Sequence, residues 1–324
     1  MRSSIHMAAT ATTPVRWDTY VRAQSDTMFK SYADDGAFGK FFHIRKPTPI
    51  DQQKVIRMNR DTLYSMGVFD LTDPVTITKP DTGDRYQSMM VVSQDEYIPM
   101  VVYKPGDYTL TQDEVGTRYV VVVLRTLVDA TKPEDITAVN AIQDKITTQQ
   151  ASAGTFEIPN WDQRELKKLT DAINVLADTM TDTSKCFGTE EEVEPIEHLL
   201  GAAFGWGGLP AKDATYDTVT PEHNDGTTPQ VLTVKDVPVD GFWSVSLYNK
   251  DGYYEKNPSG VYVINDRNAT KGSDGSVTIH FGGDPSQPNH LYITDGWNYT
   301  VRLYRPRKEI LNGSWAFPAA KVVS

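Results

Sequence analysis

Apolar residues recur with a period of two towards both ends of the chain and with a helical period in its middle. Alternation predicts β-strands, whereas recurrence at every third and fourth position predicts amphipathic helices. A first helix is predicted over 17–32, where the spacing is helical, and four strands separated by turn residues follow it. The helix carries Trp17, Val21, Gln24, Met28 and Tyr32, and the strands cover 75–79, 85–93, 98–103 and 118–126.

The stretch from 131 to 206 changes to the helical period. Pro133 opens a helix there, because proline is tolerated in the first turn of a helix. A second helix is predicted over 166–180 and a third over 193–204, where Gly205 and the glycines after it end the pattern. The first two carry apolar stripes, formed by Ile136, Val139, Ile142 and Ile146, and by Leu166, Leu169, Ile173, Leu176 and Met180.

Strand signals return after 210, and many short strands with turns rich in Gly, Pro and Asn are typical of β-sandwiches and jelly rolls. The sequence therefore predicts a mainly β fold with two sandwich-like or jelly-roll-like lobes separated by an inserted helical segment. The predicted units are 1–130 (N-terminal helix and first lobe), 131–209 (helical subdomain) and 210–324 (second lobe). The later strands are predicted over 231–234, 242–248, 261–264, 276–281 and 299–305.

The formal net charge of −11 disfavours nucleic acids and anionic membranes as partners. Binding to phosphate backbones depends on clustered Lys and Arg, which release counterions. No apolar stretch is long enough for a membrane span. The single cysteine, Cys186, excludes an intramolecular disulfide and a zinc site made of thiolates.

The sequence lacks the usual motifs for nucleotides and catalytic metals. It has no Gly-x-Gly-x-x-Gly after a strand, no phosphate-binding loop and no His-Glu-x-x-His. The Gly-x-Ser-x-Gly elbow of α/β-hydrolases is absent too. The six histidines include no close pair of the kind that a cupin-like metal site uses. We therefore predict neither an organic cofactor nor a metal site.

Arg60 and Tyr64 fall on one face if 56–68 is an extended segment, and their neighbours on that face are mostly apolar. A guanidinium on an apolar face needs a partner, because burying a lone charge is costly. One hypothesis is an anion clamp, in which Arg60 holds a carboxylate or phosphate and Tyr64 donates a hydrogen bond. The alternative is a structural ion pair of Arg60 with Asp70 or Asp95.

Asn59 and Asp61 fall on the opposite face of the same segment. Both residues favour turns, because their side chains accept hydrogen bonds from nearby backbone N–H groups. Asp61 is alternatively a candidate general base. The candidate catalytic residues are therefore Arg60, Asp61 and Tyr64.

Polar and aromatic residues alternate with core-like residues in the strand over 242–248. Phe242, Ser244, Ser246 and Tyr248 share a face that is predicted to be either a ligand cavity wall or a half-solvated sheet surface. In the last strand, Arg302 shares a face with Tyr304. Arginines among tyrosines suit an acidic or sugar-like ligand, although ion pairs with the excess acids are the alternative. The candidate substrate-binding residues are Asn59, Arg125, Tyr248 and Arg302.

Two signatures resemble a known bacterial family. The first is Asn-Arg-Asp-Thr-Leu-Tyr-Ser over 59–65 with Phe-Asp-Leu over 69–71, and the second extends from Asp-Gly-Phe-Trp over 240–243 to Gly-Ser-Trp-Ala-Phe-Pro over 313–318. Their order resembles a two-domain family that pairs DUF1254 with DUF1214, both domains of unknown function. The resemblance implies two β-sandwich lobes with a helical subdomain between them, and a periplasmic or secreted location. The stretch over 1–13 shows no signal-peptide pattern, so a cytoplasmic location also stays open.

Two classes of function fit these features. The first is an enzyme, favoured as a hydrolase, that acts on a small or oligomeric acidic or polar organic substrate. The second is a non-catalytic ligand-binding or envelope protein, and a self-assembling structural module or homo-oligomer is a weaker third reading. Fold alone does not choose among them.

The C-terminal residues Trp315 and Phe317 follow an Asn-Gly turn at 312–313. Such a turn can reverse the chain. Two exposed aromatics at a terminus would form an apolar patch, which monomers rarely keep. We therefore predict that this tail folds back and buries Trp315 against a lobe or across the lobe junction.

Overall fold

The computed structural model describes residues 11–323. The stretch over 1–13, which shows no signal-peptide pattern, lies mostly outside the described residues. The first lobe contains two sheets, one with strand order β1-β2-β7-β4-β5 and one with order β6-β3-β8. Their strands are β1 (Phe41–His43), β2 (Thr62–Asp70), β3 (Val75–Lys79), β4 (Gln87–Ser93), β5 (Met100–Val102), β6 (Gly106–Leu110), β7 (Tyr119–Leu127) and β8 (Thr147–Gln150).

Strand β7 forms the centre of the five-stranded sheet. It pairs antiparallel with β2 over its whole length and with β4 on its other side. Its run of valines suits a strand that is buried on both faces. On one face, residues such as Val122, Met89 and Phe69 pack against Ile77 and Leu110 of the three-stranded sheet. This packing makes the first lobe a β-sandwich.

The described helices are α1 (Tyr20–Tyr32), α2 (Gln112–Val115), α3 (Pro133–Gln143), α4 (Gln163–Ala177), α5 (Pro195–Phe204) and α6 (Lys308–Leu311). A π-helical turn (Ala33–Ala37) follows α1, and a short 3-10 turn covers Ile50–Gln52. Helices α1, α4 and α5 share one core, which includes Tyr20, Leu166 and Leu200. The N-terminal helix therefore packs with the helical segment. None of the helices in the described range has the length and apolar character to cross a membrane.

One strand lies inside the stretch that was predicted to be helical. Helix α3 ends at Gln143, and β8 follows and pairs with β3 of the first lobe. The β-branched Thr147 and Thr148 suit a strand, and the free edge of β3 supplies a partner. The predicted stripe over α3 therefore ends before Ile146, which joins the core between the sheets of the first lobe instead.

The second lobe also contains two sheets, with strand orders β12-β11-β15-β9 and β14-β13-β10-β16. They enclose a core that includes Trp243, Val245, Ile279, Phe281 and Trp297. The strands are β9 (Ala214–Val219), β10 (Gln230–Val234), β11 (Trp243–Tyr248), β12 (Val263–Asn265), β13 (Val277–Phe281), β14 (His290–Leu291), β15 (Asn298–Tyr304) and β16 (Lys321–Val322).

The C-terminal tail folds back onto the second lobe. Strand β16 pairs antiparallel with β10. Trp315 and Phe317 pack, partly buried, against the core of this lobe, and the Phe317 ring lies 5.7 Å from that of Trp243. The predicted return of the tail is confirmed, and Trp315 lies on one lobe, away from the lobe junction.

The predicted mainly β fold with a helical segment is confirmed, with antiparallel pairing throughout except between β13 and β14. The domain limits after 130 and 209 stay predictions, and so does a jelly-roll connectivity. The second face of the five-stranded sheet carries Met66, Met90 and Val123, which pack in one cluster with Phe242 and Tyr304 of the second lobe. This shared core brings residues of both lobes to one junction.

Candidate functional site

A segment just before β2 connects the two lobes through side-chain hydrogen bonds. The carboxylate of Asp61 accepts one from the Ser244 hydroxyl at 2.6 Å and one from the Asn265 amide at 2.8 Å. Asn59 donates from its amide to the Tyr304 hydroxyl at 2.8 Å. Its side-chain oxygen accepts from the backbone N–H of Asp61 at 2.6 Å. Asn59 is thus the predicted turn cap, and Asp61 is an interlobe contact.

Residues 57–61 cover the face of β11 that was predicted to line a cavity. The Tyr248 hydroxyl donates to the carbonyl oxygen of Met58 at 2.8 Å, and the Phe242-to-Tyr248 face is buried. The predicted alternation along this strand is correct, since Trp243 and Val245 lie on the core side. The polar face is neither half-solvated nor an open cavity wall, because the first lobe packs on it.

Arg302 lies beneath this segment, and its hydrogen-bond partners are groups of the protein. It donates to the Ser246 hydroxyl at 2.7 Å, to the Tyr248 hydroxyl at 2.8 Å and to the carbonyl oxygen of Arg57 at 2.7 Å. Burial disfavours its charge, but Tyr248, other tyrosines and Asp61 raise the pKa of Arg302 above its ordinary value. Burial also raises the pKa of Asp61, although the nearby charge of Arg302 acts to lower it. The nearby guanidinium therefore partly offsets the cost of burying the Asp61 carboxylate.

Arg60 does not meet Tyr64, contrary to the predicted anion clamp. Its guanidinium donates to the carbonyl oxygen of Thr48 and lies 5.9 Å and 5.4 Å from the ring centroids of Tyr254 and Tyr262. Burial lowers the pKa of Arg60. The alternation was extended too far, because β2 begins at Thr62 and the chain before it is a turn.

Neither of the carboxylates proposed as alternative partners of Arg60 contacts it. Asp70 pairs with Arg118 at 2.8 Å, and Asp95 pairs with Arg22 at 2.6 Å. The predicted structural ion pair is therefore wrong, and Arg60 rests on aromatic rings and a backbone carbonyl instead.

Tyr64 and Arg125 do lie together, as directly paired residues of β2 and β7. The Arg125 guanidinium is 5.4 Å from the Tyr64 ring centroid and donates to the carbonyl oxygen of Gly207 at 2.9 Å. Its other terminal nitrogen lies 3.8 Å from the sulfur of Met90. Arg125 is 8% exposed, and among residues 11–323 no carboxylate lies within salt-bridge distance of it. It is a buried cation without a paired anion.

Two buried hydroxyls lie next to Arg125. Ser88 pairs with Arg125 across β4 and β7, and the Tyr86 hydroxyl lies close to that of Ser88. Apart from each other, these hydroxyls have no hydrogen-bond partner among residues 11–323. Burial raises the pKa of Tyr86 above its ordinary value. The guanidinium can only donate hydrogen bonds, whereas the two hydroxyls can both donate and accept.

Tyr216 and Tyr304 complete the surroundings of Arg125. Burial disfavours the charge of Arg125, but Tyr64, Tyr216 and the other tyrosines near it raise its pKa overall. Burial raises the pKa of the Tyr216 hydroxyl, yet 52% of this residue is exposed. We call the place where Tyr64, Arg125, Tyr216 and Tyr304 meet the junction recess.

The predicted site residues therefore separate into three places. Tyr64 and Arg125 border the junction recess, and Asn59 reaches it through Tyr304. Asp61, Tyr248 and Arg302 form the buried interlobe contacts, and Arg60 lies apart from both groups. Sequence reasoning missed Tyr304, Tyr216, Tyr86 and Ser88 as site residues. Alternation along β15 did place Tyr304 on the face of Arg302, and that was the available signal for it.

Histidines and acids do not converge on this recess. Across the described part of the chain, no three His, Cys, Asp or Glu side chains are arranged to hold a metal ion. The donors at the recess are guanidinium and hydroxyl groups, which hydrogen-bond to anions.

The two lobes correspond to two known domains. A model described as protein of unknown function (DUF1254) matches residues 38–150, and a model described as protein of unknown function (DUF1214) matches residues 213–308. The chain belongs to the family that pairs DUF1254 with DUF1214. The contacts of Asn59 and Asp61 thus connect the DUF1254 domain to the DUF1214 domain, and Tyr64 and Tyr304 bring one residue of each to the junction recess.

Solved structures share the fold of this DUF1254–DUF1214 chain. The VPA0106 protein from Vibrio parahaemolyticus is similar with a TM-score of 0.69 and 19% identity, over 95% of this chain and 98% of that one. An uncharacterised protein from Burkholderia cenocepacia is similar with a TM-score of 0.53 and 15% identity, over 95% and 87% of the two chains. No curated protein matches the chain.

Proposed function

We propose that this DUF1254–DUF1214 protein binds a small organic anion in the junction recess, with Arg125 contacting the negative charge. The observation that carries the proposal is the buried guanidinium of Arg125, which has no carboxylate partner among the described residues. A buried charge is costly unless it is paired and hydrogen-bonded. A bound anion would supply the missing partner.

The buried hydroxyls of Tyr86 and Ser88, which have no hydrogen-bond partner outside this pair, support the same ligand. A hydroxyl can donate a hydrogen bond to an anion. Such donors beside an unpaired cation favour an acceptor-rich, negatively charged group. A neutral ligand would satisfy the hydroxyls and leave the charge of Arg125 unpaired.

Hydrolysis of the ligand was predicted from the sequence, with Asp61 as the candidate base. The surroundings of Asp61 favour binding without chemistry. Its carboxylate is fully buried, and both oxygens accept hydrogen bonds from the DUF1214 domain. A general base must reach the proton that it removes. The test is turnover of ester, amide or glycoside reporters. If the protein turns one of them over and Asp61→Asn loses this activity, the protein is a hydrolase and binding without chemistry is the wrong reading.

Thermal unfolding in the presence of small acids tests the proposal. A ligand that binds only the native state raises the melting temperature with concentration. We expect carboxylates, sulfonates or phosphate esters to raise it, and their neutral amide or alcohol counterparts to leave it unchanged. The Arg125→Met variant should lose the response.

The matched control is Arg164→Met, which removes an exposed arginine of α4. It should respond to the acids as the unmodified protein does. If Arg125→Met and Arg164→Met respond equally, or if no acid has an effect, the junction recess is not an anion site.

A further inference from the structure

We infer that a cleft between the helical segment and the first lobe binds an organic ammonium ion that carries an apolar group. The cleft has a volume of about 600 Å³. Ligand sites usually have volumes between about 300 and 1,000 Å³. The cleft shares no residue with the junction recess, so the inference is independent of the proposed anion site.

Four parts of the chain line the cleft. They are the start of α1 with the residues before it (17–22), the turn between β4 and β5 (93–99), the end of α2 (113–117) and the stretch that leads into α5 (189–199). Much of this lining is open to solvent. Trp17 is 74% exposed, and Asp18, Asp113 and Glu190 are exposed as well. A ligand can therefore reach these side chains from outside.

One part of the lining is apolar and aromatic. Trp17 and Tyr97 contribute rings, and the aliphatic members are Val21, Pro99 and Leu199. Apolar side chains that share a groove on a protein surface are typical of ligand and partner sites. They favour a ligand that has an apolar group of its own.

The protein holds the ring of Tyr97 in place. It stacks on the ring of His198 with centroids 4.9 Å apart at an interplanar angle of 13°. His198 is 5% exposed, and its ring nitrogens lie 3.0 Å and 2.9 Å from the carbonyl oxygens of Cys186 and Asp95. The backbone N–H of Tyr97 donates to the Ser93 hydroxyl at 3.1 Å. This wall is formed before a ligand arrives, which lowers the entropic cost of binding.

The lining carries more negative than positive charge. Its guanidinium, Arg22, is already paired with Asp95 at 2.6 Å, and the lining contains no lysine. The carboxylates of the lining belong to Asp18, Asp95, Asp113, Glu114 and Glu190. The cleft therefore attracts cations and repels anions.

Two of these carboxylates are available to a ligand. Asp18 pairs with Arg16 at 3.0 Å, and Glu114 belongs to the N-terminal cap of α2. Asp113 and Glu190, in contrast, form no salt bridge within the described range 11–323 and are exposed. An ammonium ion in the cleft would give them a counter-charge.

The carboxylates and the aromatic rings lie close together. Burial raises the pKa of Tyr97, and the charges of Glu190 and Asp95 raise it further, so both acids are near its hydroxyl. Organic cations are attracted both by carboxylates and by the faces of aromatic rings. A metal ion would need several converging oxygen ligands, and no three acidic or histidine side chains converge in that way in the described part of the chain. The lining therefore suits an amine better than a metal ion.

Isothermal titration calorimetry with four probes tests the inference. The probes are phenylbutylamine, phenylbutanol, phenylbutyrate and butylamine, which vary the charge and the apolar group separately. Phenylbutylamine should bind, and the alcohol and butylamine should each bind at least tenfold more weakly. Phenylbutyrate should not compete with the amine. The affinity for phenylbutylamine should fall as salt is raised, because salt screens exposed charges.

Variants at exposed positions test the two kinds of wall without disturbing a core. Trp17→Ala should weaken phenylbutylamine at least fivefold, whereas Trp17→Phe should keep most of the affinity. The double variant Asp113→Asn with Glu190→Gln should weaken both amines at least fivefold, because it removes the two available charges and keeps the size of the side chains.

Matched controls remove the same kinds of group outside the cleft. Phe42→Ala removes an aromatic ring that is 38% exposed on β1. Glu222→Gln combined with Asp251→Asn neutralises two exposed acids. Both controls should bind phenylbutylamine as the unmodified protein does.

The inference has two ways to fail. If the alcohol binds as tightly as the amine, or if phenylbutyrate competes with it, the ligand class is wrong. If the amine does not bind, or if the Trp17 and double acid variants bind it as the controls do, the cleft is not an ammonium site. The anion site is tested through Arg125, which does not line the cleft, so either proposal can fail while the other stands.

Discussion

Asp61 of the N-terminal lobe accepts a 2.6 Å hydrogen bond from Ser244 of the C-terminal lobe, and both residues are completely buried. Removing the carboxylate in Asp61→Ala leaves the Ser244 hydroxyl and the Asn265 amide without their acceptor, and it removes an acidic group near the buried Arg302. We expect the free energy of unfolding to fall by about 3–5 kcal/mol, the usual effect of breaking a buried charged contact. Chemical denaturation measures it.

The control for this prediction is Asp240→Ala. Asp240 pairs with Arg307 at 2.7 Å, but both side chains are about half exposed. Surface pairs contribute about 0–1 kcal/mol. Equal losses in the two variants would mean that the interlobe contact does not stabilise the protein.

Glu96 makes stability fall with rising pH. Burial raises the pKa of its carboxyl to about 8, while one oxygen accepts from the N–H of Gly207 at 2.9 Å. Between the ordinary glutamate pKa of about 4.3 and this value, the native state holds a proton that the unfolded state has lost. The free energy of unfolding therefore falls by about 1.4 kcal/mol for each pH unit across that window.

The Glu96→Gln variant should remove this dependence while keeping the acceptor for Gly207. Its stability should exceed that of the unmodified protein increasingly from pH 5 to pH 8, as followed by urea denaturation. Glu222→Gln, at an exposed position, serves as the control and should follow the unmodified protein. Parallel curves for Glu96→Gln and the unmodified protein would refute the prediction.

Asp135 has the opposite pH dependence. It pairs at 2.7 Å with Arg85 and with Arg267, one from each lobe. Burial disfavours its charge, but the two arginines hold the pKa of Asp135 well below its ordinary value. The stabilisation is thus complete above the ordinary aspartate pKa of about 3.9 and is lost as pH falls below it.

Asp135→Asn should cost about 3 kcal/mol at pH 7, because it leaves the buried Arg85 without an anion. The difference from the unmodified protein should shrink on acidification towards pH 2. A constant difference across that range, measured by circular dichroism, would show that the charge of Asp135 is not the cause.

The folded-back tail predicts a stability loss on truncation. Deleting residues 308–324 removes β16 and the packing of Trp315 and Phe317 on the second lobe. The loss should be about 2–4 kcal/mol, within the range for removing aromatic residues from a core and lowered because both are only partly buried. An unchanged melting temperature would indicate that the tail does not belong to the core.

Local patterns predicted the strands better than they predicted the site. The apolar run of β7 and the alternation along β11 and β15 are properties of neighbouring residues, so periodicity finds them. Several strands were missed, among them β1, β6, β9, β14, β16 and β8, and the four residues of β8 carry a weak signal because they have little apolar character. These residues form a strand because they pair with the edge of β3.

The partners of the arginines depend on contacts across the fold. Arg60 and Arg125 look alike in sequence, since both stand in strand-like surroundings. Arg60 contacts the carbonyl oxygen of Thr48 and two aromatic rings, whereas Arg125 lacks a counter-charge. Periodicity assigns a side chain to a face, but it does not say what the other lobe brings to that face. Tyr216 was missed for this reason, because its neighbour Arg125 is 91 positions away in the sequence.

Residues 57–61 are synthesised long before the residues of the second lobe that they contact. Asn59 emerges from the ribosome long before Tyr304, which accepts its hydrogen bond. The interval is 245 residues, or roughly 12 to 50 seconds at synthesis rates of about 5–20 residues per second. During that time the nascent DUF1254 domain lacks the DUF1214 side of the junction, so Asp61 is without its partners Ser244 and Asn265. We therefore expect the junction to form late in folding.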